Sequence, residues 1–368
     1  MSRHQTILRL KPTYVRRFYV DGGRLGLGTK PGETYQPDSG LWIPERWIAS
    51  TVTATNPHPI PGEGLSFLED GRTTLLDAIA AEPERLLGPA IARAHGPEWR
   101  VLVKILDPWE PIVFHFHARD VDVQRLPHHF PGHRFGKDEA YYFLERPKAT
   151  MPYTHAGLWP GVTLTDLVAA IRKGRDYALE LSPVFYQRYG EGFYVPAGVP
   201  HRPGSALTLE VQQPSDVYTL LEREAGGQPL SPEQMHPGFP DLDTAFQCID
   251  WEVATQPDFL ARYALRPRVI EATTVRGEGE EAWIFPPEMT PKFSGKRVRV
   301  ERALEVVEAR PHAVFIWEGE GTFAGIPVRA GDELFVGYEA AVQPHVIRNT
   351  GRERLELFKF FPQEVDSA

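Results

Sequence analysis

Cysteine is nearly absent from this chain. Cys248 stands alone among 368 residues, which excludes an internal disulfide and any cysteine-rich zinc site. Long apolar runs are missing as well. No stretch reaches the roughly 18 apolar residues of a membrane-spanning helix, so no membrane partner is expected. The opening residues, MSRHQTILRLKPTYV, lack the apolar core of a secretory signal, which points to the cytoplasm. Clustered basic charge is also lacking. Forty Lys and Arg face 49 Asp and Glu, for a net charge of −9, and no basic stripe with interleaved aromatics occurs. A phosphate backbone would need one, so a nucleic-acid partner is excluded.

What is abundant is punctuation. Gly (32) and Pro (35) are frequent, as in chains built from many short strands and turns. Residues 100–106, 112–117, 140–145, 192–196 and 206–212 read as strands. So do 296–301, 313–318, 332–336 and 355–361. Helical spacing is confined to 73–94, where Pro83 divides the pattern, and to 163–174, closed by Gly174. Short strands between Pro/Gly turns predict a mainly β sandwich or barrel with some helix. The length suggests more than one domain. A turn-rich segment, AGGQPLSPEQMHPG, then short helices, interrupts the β pattern. We therefore expect a first domain over 1–225, a connector over 226–267 and a second β domain over 268–368. A run of glycine, aromatic strand, proline and histidine occurs at Gly192–His201 and again at Gly331–His345. This echo suggests a duplicated barrel.

His115 and His117 are two apart in IVFHFHARD. On a strand, alternation aims both at the same face, about 7 Å apart along the backbone. Such a pair fits a surface strand as well as a metal site. Glu139 follows where another strand begins, and His201 lies in a tight turn after a strand, GFYVPAGVPH. Three imidazoles and a carboxylate suit one divalent metal and leave positions open for chemistry. The loop histidines His128, His129 and His133 could line the mouth of such a site, although loop histidines commonly face solvent. His312 and His345 have no second histidine at strand spacing, so the second barrel is expected to carry no metal.

At these residues the chain resembles the type I phosphomannose isomerases of the cupin superfamily, most clearly over its first 225 residues. Val20–Leu25 is similar to that family's W-G-G-x-x-L, Pro44–Ser50 to G-E-x-W-x-x-S, and Leu102–Asp107 to its L-x-K strand. His115-Phe116-His117 falls on Q-x-H, and Gly136–Glu139 on G-K-x-E. Gly192–His201 falls on G-D-x-x-x-x-P-x-G-x-x-H, and Leu209–Asp216 on x-E-x-Q-Q-x-S-D. The resemblance implies tandem cupin (jelly-roll) barrels with helical segments. It implies a metal held by His115, His117, Glu139 and His201, zinc first, with Mn, Fe, Co or Ni also accommodated. It implies conversion of mannose 6-phosphate to fructose 6-phosphate, or of a related sugar, through an enediol. Glu210, Lys137 and Lys104 fall on that family's catalytic positions, the two lysines also on its substrate-binding positions. Three positions depart from the pattern. His115 replaces Gln, a set also found in other metal cupins. Val113 replaces a serine, and Leu220 falls where the family has an arginine, a loss that Arg202 or Arg223 could offset. Two other readings stay open: the three-histidine, one-glutamate set also suits a metal cupin with oxygenase-type chemistry, and the lost serine and arginine suit a non-catalytic sugar-binding cupin.

Overall fold

Strand parity, more than any single contact, decides what this molecule buries where. The structure, a computed structural model, describes residues 6–23, 25, 43–144, 151–270 and 278–363. Arg24 and Glu145, inside two of the segments read above, lie outside them. Among the described residues, mainly antiparallel strands build two pairs of sheets and one two-stranded hairpin, with short helices on the flanks. In the first pair, a seven-stranded sheet contains Thr13–Val15, Glu45–Ile48, Leu102–Leu106, Thr208–Gln212, Glu139–Phe143, Gly192–Val195 and Ala264–Leu265. A five-stranded sheet contains Thr219–Leu220, His115–Phe116, His201–Arg202, Tyr153–Ala156 and Val184–Tyr186.

The second pair joins a seven-stranded sheet to a four-stranded one, almost all from residues beyond 267. Its exception is Ile7–Leu10, which pairs with Glu333–Val336 in the register Ile7 to Val336. The N-terminal strand therefore sits with the C-terminal sheet. Sequence order alone assigns it to the first 225 residues, because pairing partners so distant leave no local pattern.

Register explains the site-bearing sheet. Trp47, Lys104, Glu210, Tyr141 and Phe193 are successive cross-strand partners. Directly opposed residues share a face, so these five project together into the first barrel. Their neighbours Val103, Ile105, Leu209 and Val211 project the other way. There they join Phe285, Phe315, Phe335, Phe358 and Phe360 of the C-terminal sheet in one buried cluster.

The long helical pattern is three helices: Leu75–Ala81, Pro83–Leu87 and Pro89–His95. Thr74 caps the first, its hydroxyl accepting from the Asp77 amide at 3.0 Å. Pro83 and Pro89 each begin a helix, where a missing N–H costs nothing. Leu164–Lys173 is capped by Thr163 and ends at Gly174. Among the described residues, no helix is long and apolar enough to cross a membrane.

Candidate metal centre

The two sheets of the first barrel bring the four expected ligands to one point. His115 and His201 are register partners on adjacent strands, and Glu139 begins the facing strand. One donor atom from each of His115, His117, Glu139 and His201 lies within 4.8 Å of all the others, and all four residues are buried. The imidazole centroids are 4.1 Å (115 to 201), 4.8 Å (115 to 117) and 5.0 Å (117 to 201) apart.

Backbone carbonyls fix how the rings are used. His115 Nδ1 is 2.6 Å from the Val113 carbonyl, His117 Nδ1 2.7 Å from Val217, and His201 Nδ1 2.8 Å from Val199. A carbonyl can only accept, so each Nδ1 carries the proton and each Nε2 keeps its lone pair. His201 Nε2 lies 2.9 Å from Glu139 Oε1, and His117 Nε2 3.2 Å from Glu139 Oε2. His201 Nε2 is buried without a hydrogen-bond partner, whereas Glu139 Oε2 has the Lys137 ammonium 2.8 Å away. The Lys137 ammonium lies beside His117 Nε2 and Glu139 Oε2, but the lone pairs of His201 Nε2 and Glu139 Oε1 turn on one another at 2.9 Å and repel unless a further cation lies between them. Three Nε2 atoms and a carboxylate, each oriented by a second bond, therefore fit a divalent metal.

The protonation states agree with that use. Burial, with His201 and His117 beside it, holds His115 well below the ordinary imidazole range. Burial and the neighbouring Lys137 push His117 down to about 3. Burial alone would raise Glu139, yet Lys137, His117 and His201 outweigh it and hold the carboxyl well below its usual range. The Tyr141 hydroxyl donates to Glu139 Oε1.

Beyond the ligands lies a small cavity of about 30 Å³. Lys104, Lys137 and Glu210 all line it. Lys137 Nζ is 2.8 Å from Glu139 Oε2 and 3.0 Å from His117 Nε2. Glu210 Oε1 lies 3.6 Å from Lys104 Nζ and 3.7 Å from Lys137 Nζ. Burial lifts the Glu210 carboxyl above its ordinary range, an effect the two lysines only partly offset.

Neither proposed replacement arginine reaches this cavity. Arg202 follows His201 on a strand, so parity turns it to the opposite face. There its Nε lies 3.1 Å from Glu222 Oε1. Arg223 is exposed and lines a separate groove with Arg172 and Met235. Leu220 is the register partner of His115 and lines the cavity, whereas Val113 packs with Leu220, Ala225 and Met235. His129 and His133 line a neighbouring cavity that shares Asp216 and Tyr218 with the first. His128 is exposed, its ring 4.0 Å from that of His129.

Arg17, Glu45 and Asp216 also line the cavity, and sequence reasoning missed their role. Arg17 Nε is 2.8 Å from Glu45 Oε1, and its Nη2 2.8 Å from Asp216 Oδ1. The available signals were the glutamate of P-E-R-W and the aspartate of Q-Q-P-S-D. Nothing around Arg17 marks it.

No protein-family model matches the chain, and no curated protein matches its sequence. Solved structures do match. A mannose 6-phosphate isomerase from Bacillus subtilis superposes with a TM-score of 0.70 at 20% identity, over 97% of this chain and 99% of its own. A variant of the phosphomannose isomerase from Salmonella typhimurium gives 0.67 at 16%, over 98% and 100%. A zinc-bound mannose 6-phosphate isomerase gives 0.66 at 14%, also over 98% and 100%. At these identities the likeness is one of fold: this chain has the tandem cupin architecture of those enzymes, end to end.

Proposed function

We propose that this chain, which has the fold of the phosphomannose isomerases, is a metal-dependent aldose–ketose isomerase. One observation carries the reading. Four buried donor atoms converge within 4.8 Å, beside a buried carboxylate, Glu210, flanked by two lysines. His115, His117, Glu139 and His201 would hold the metal, zinc being the ion of one structural neighbour. Bound there, a divalent ion supplies a Lewis acid that orients a sugar and stabilises negative charge on its oxygens.

The chain's own groups account for the proton transfer. Glu210, as the carboxylate, removes the proton from C2 of the aldose. The electrons of the broken C–H bond form the C1–C2 double bond, and O1 takes a proton from a lysine ammonium, Lys104 or Lys137, giving the enediol. Glu210 then returns its proton to C1 while the O2 hydroxyl gives one back to that lysine, leaving the ketose. Atoms and charge balance without a co-reactant. A carboxyl with a raised pKa suits both halves of this cycle. Lys104 and Lys137 are placed to donate hydrogen bonds to the sugar hydroxyls and to hold Glu210 in position. The barrel walls, closed by Tyr141 and Leu220, limit solvent at the reacting carbons.

The three-histidine, one-glutamate set would also bind iron, the one feature that favours oxygenase chemistry. Elemental analysis of the purified chain, with solvent exchange in deuterated water, tests the assignment. The metal-loaded protein should place deuterium at C2 of an aldose as its ketose accumulates. Bound iron, oxygen uptake and no exchange would replace the isomerase reading with the oxygenase one.

A further inference from the structure

The charges around the cavity describe what can enter it. Among the described residues that line it, the cations are Arg17, Lys104 and Lys137, and the carboxylates are Glu45, Glu139, Glu210 and Asp216. Three positive charges thus face four negative ones. Each of these cations already faces protein carboxylates.

Arg17 is committed completely. A guanidinium has five N–H donors. Its Nε donates to Glu45 Oε1 at 2.8 Å, and its Nη2 donates to Glu45 Oε2 at 3.1 Å and to Asp216 Oδ1 at 2.8 Å. Its Nη1 donates to Asp216 Oδ2 at 2.9 Å and to the Thr55 carbonyl at 3.3 Å. The two-toothed fork by which arginine grips a phosphate is spent on protein carboxylates. Lys104 Nζ lies 3.6 to 3.7 Å from Glu45, Glu210 and Asp216, above the Trp47 ring at 4.9 Å. Lys137 is held by Glu139 and Glu210. The remaining walls, including Ile112, Pro203, Val217 and Leu220, carry no charge.

A phosphate ester brings nearly two negative charges at neutral pH. A divalent metal would take the described charge of this cavity from one negative to one positive. A sugar phosphate would then drive it negative again inside a buried site, with no free arginine fork among the described lining residues to receive it. Buried charge without a partner is strongly disfavoured. A neutral sugar meets no such penalty. Its hydroxyls can accept from the lysines and donate to the carboxylates, and its C–H faces can lie on the apolar walls.

Resting on the isomerase reading, we infer that the substrate of this cavity is an uncharged aldose–ketose pair, an unphosphorylated sugar. The experiment compares mannose and fructose with their 6-phosphates, using the full metal-loaded chain in deuterated water, and reads deuterium at C2 of the aldose. The kcat/KM of the free sugars should exceed that of the phosphates by about tenfold or more. Inorganic phosphate up to millimolar levels should neither inhibit exchange nor show binding heat by calorimetry. Exchange faster with the phosphates, or competitive inhibition by phosphate, overturns the inference and leaves the isomerase reading standing. Exchange with no sugar of either kind overturns both.

Discussion

Glu333 allows a quantitative test of how the two halves are joined. Its side chain is 0% exposed, and neither carboxylate oxygen has a hydrogen-bond partner. The nearest cation is Arg46 Nη2 at 3.6 Å, too long for a hydrogen bond and already committed to the Gly331 carbonyl at 2.6 Å. Burial therefore pushes the Glu333 carboxyl up from 4.5 to about 8, against a smaller opposing pull from Arg46. In the unfolded chain the group returns to its ordinary value. Between the two values the folded state binds one more proton than the unfolded state, so stability falls as pH rises. This contribution is complete below about pH 4.5 and gone above about pH 8. At about 1.4 kcal/mol per unit, the loss is about 3 kcal/mol by pH 7 and about 5 kcal/mol over the whole window. Glu333→Gln keeps the shape and removes the titration. The variant should match the parent near pH 5 and exceed it by about 3 kcal/mol near neutrality, in urea unfolding from pH 5 to 9. Parallel stability curves for the two proteins would show that Glu333 is ionised and solvated in the fold, and would refute the reasoning.

Other outcomes follow from the site. His117→Ala should lose stoichiometric metal by elemental analysis after dialysis, because it deletes one donor and exposes another; full metal content in the folded variant would refute the ligand set. Glu210→Gln should retain its metal yet lower kcat by about 10²- to 10⁴-fold, the usual worth of a positioned general base, and unchanged exchange at C2 would remove Glu210 from the reaction. Asp216→Asn should lower unfolding free energy by about 3 kcal/mol, since it strips Arg17 and Lys104 of a buried counter-charge. A change under about 0.5 kcal/mol would mean that the pairs are dispensable.

Legibility from sequence tracked how local each signal was. His115 and His117 declare a shared face by spacing alone. Glu210 and Lys104 sit in strands whose apolar neighbours set the parity, and the structure opposes them in register. Thr74, Thr163 and Gly174 mark helix ends through their own chemistry. Failure began where distant partners decide. Arg17 meets Asp216 across 199 residues, and no pattern near either announces the pair. Ile7–Leu10 lies in the first half of the chain and pairs with the other half. Arg202 shows the converse: it is next to a ligand in sequence, but one step along a strand reverses the side chain. In the helical pattern, Pro83 marks a break by its own chemistry. The second break, at Gly88 and Pro89, leaves no mark in the apolar spacing, which runs on through it.

The same parity rule accounts for the C-terminal half. One face of the site sheet carries Lys104, Glu210 and Glu139, groups that must be close, buried and oriented. A face that spends its positions on charge contributes little hydrophobic stabilisation and costs desolvation. The reverse face is correspondingly apolar, with Val103, Ile105, Leu209 and Val211 all fully or nearly fully buried. Such a face needs a cover, and Phe285, Phe315, Phe335, Phe358 and Phe360 supply it. Polar ties cross the same seam. Arg297 Nη1 donates to the Tyr142 hydroxyl at 2.9 Å. Arg46 reaches Gly331 from a strand whose preceding residue, Glu45, holds Arg17 in the cavity. The C-terminal sheet thus acts on the cavity without lining it: by packing the back of the strands it fixes the spacing of the charges on the front.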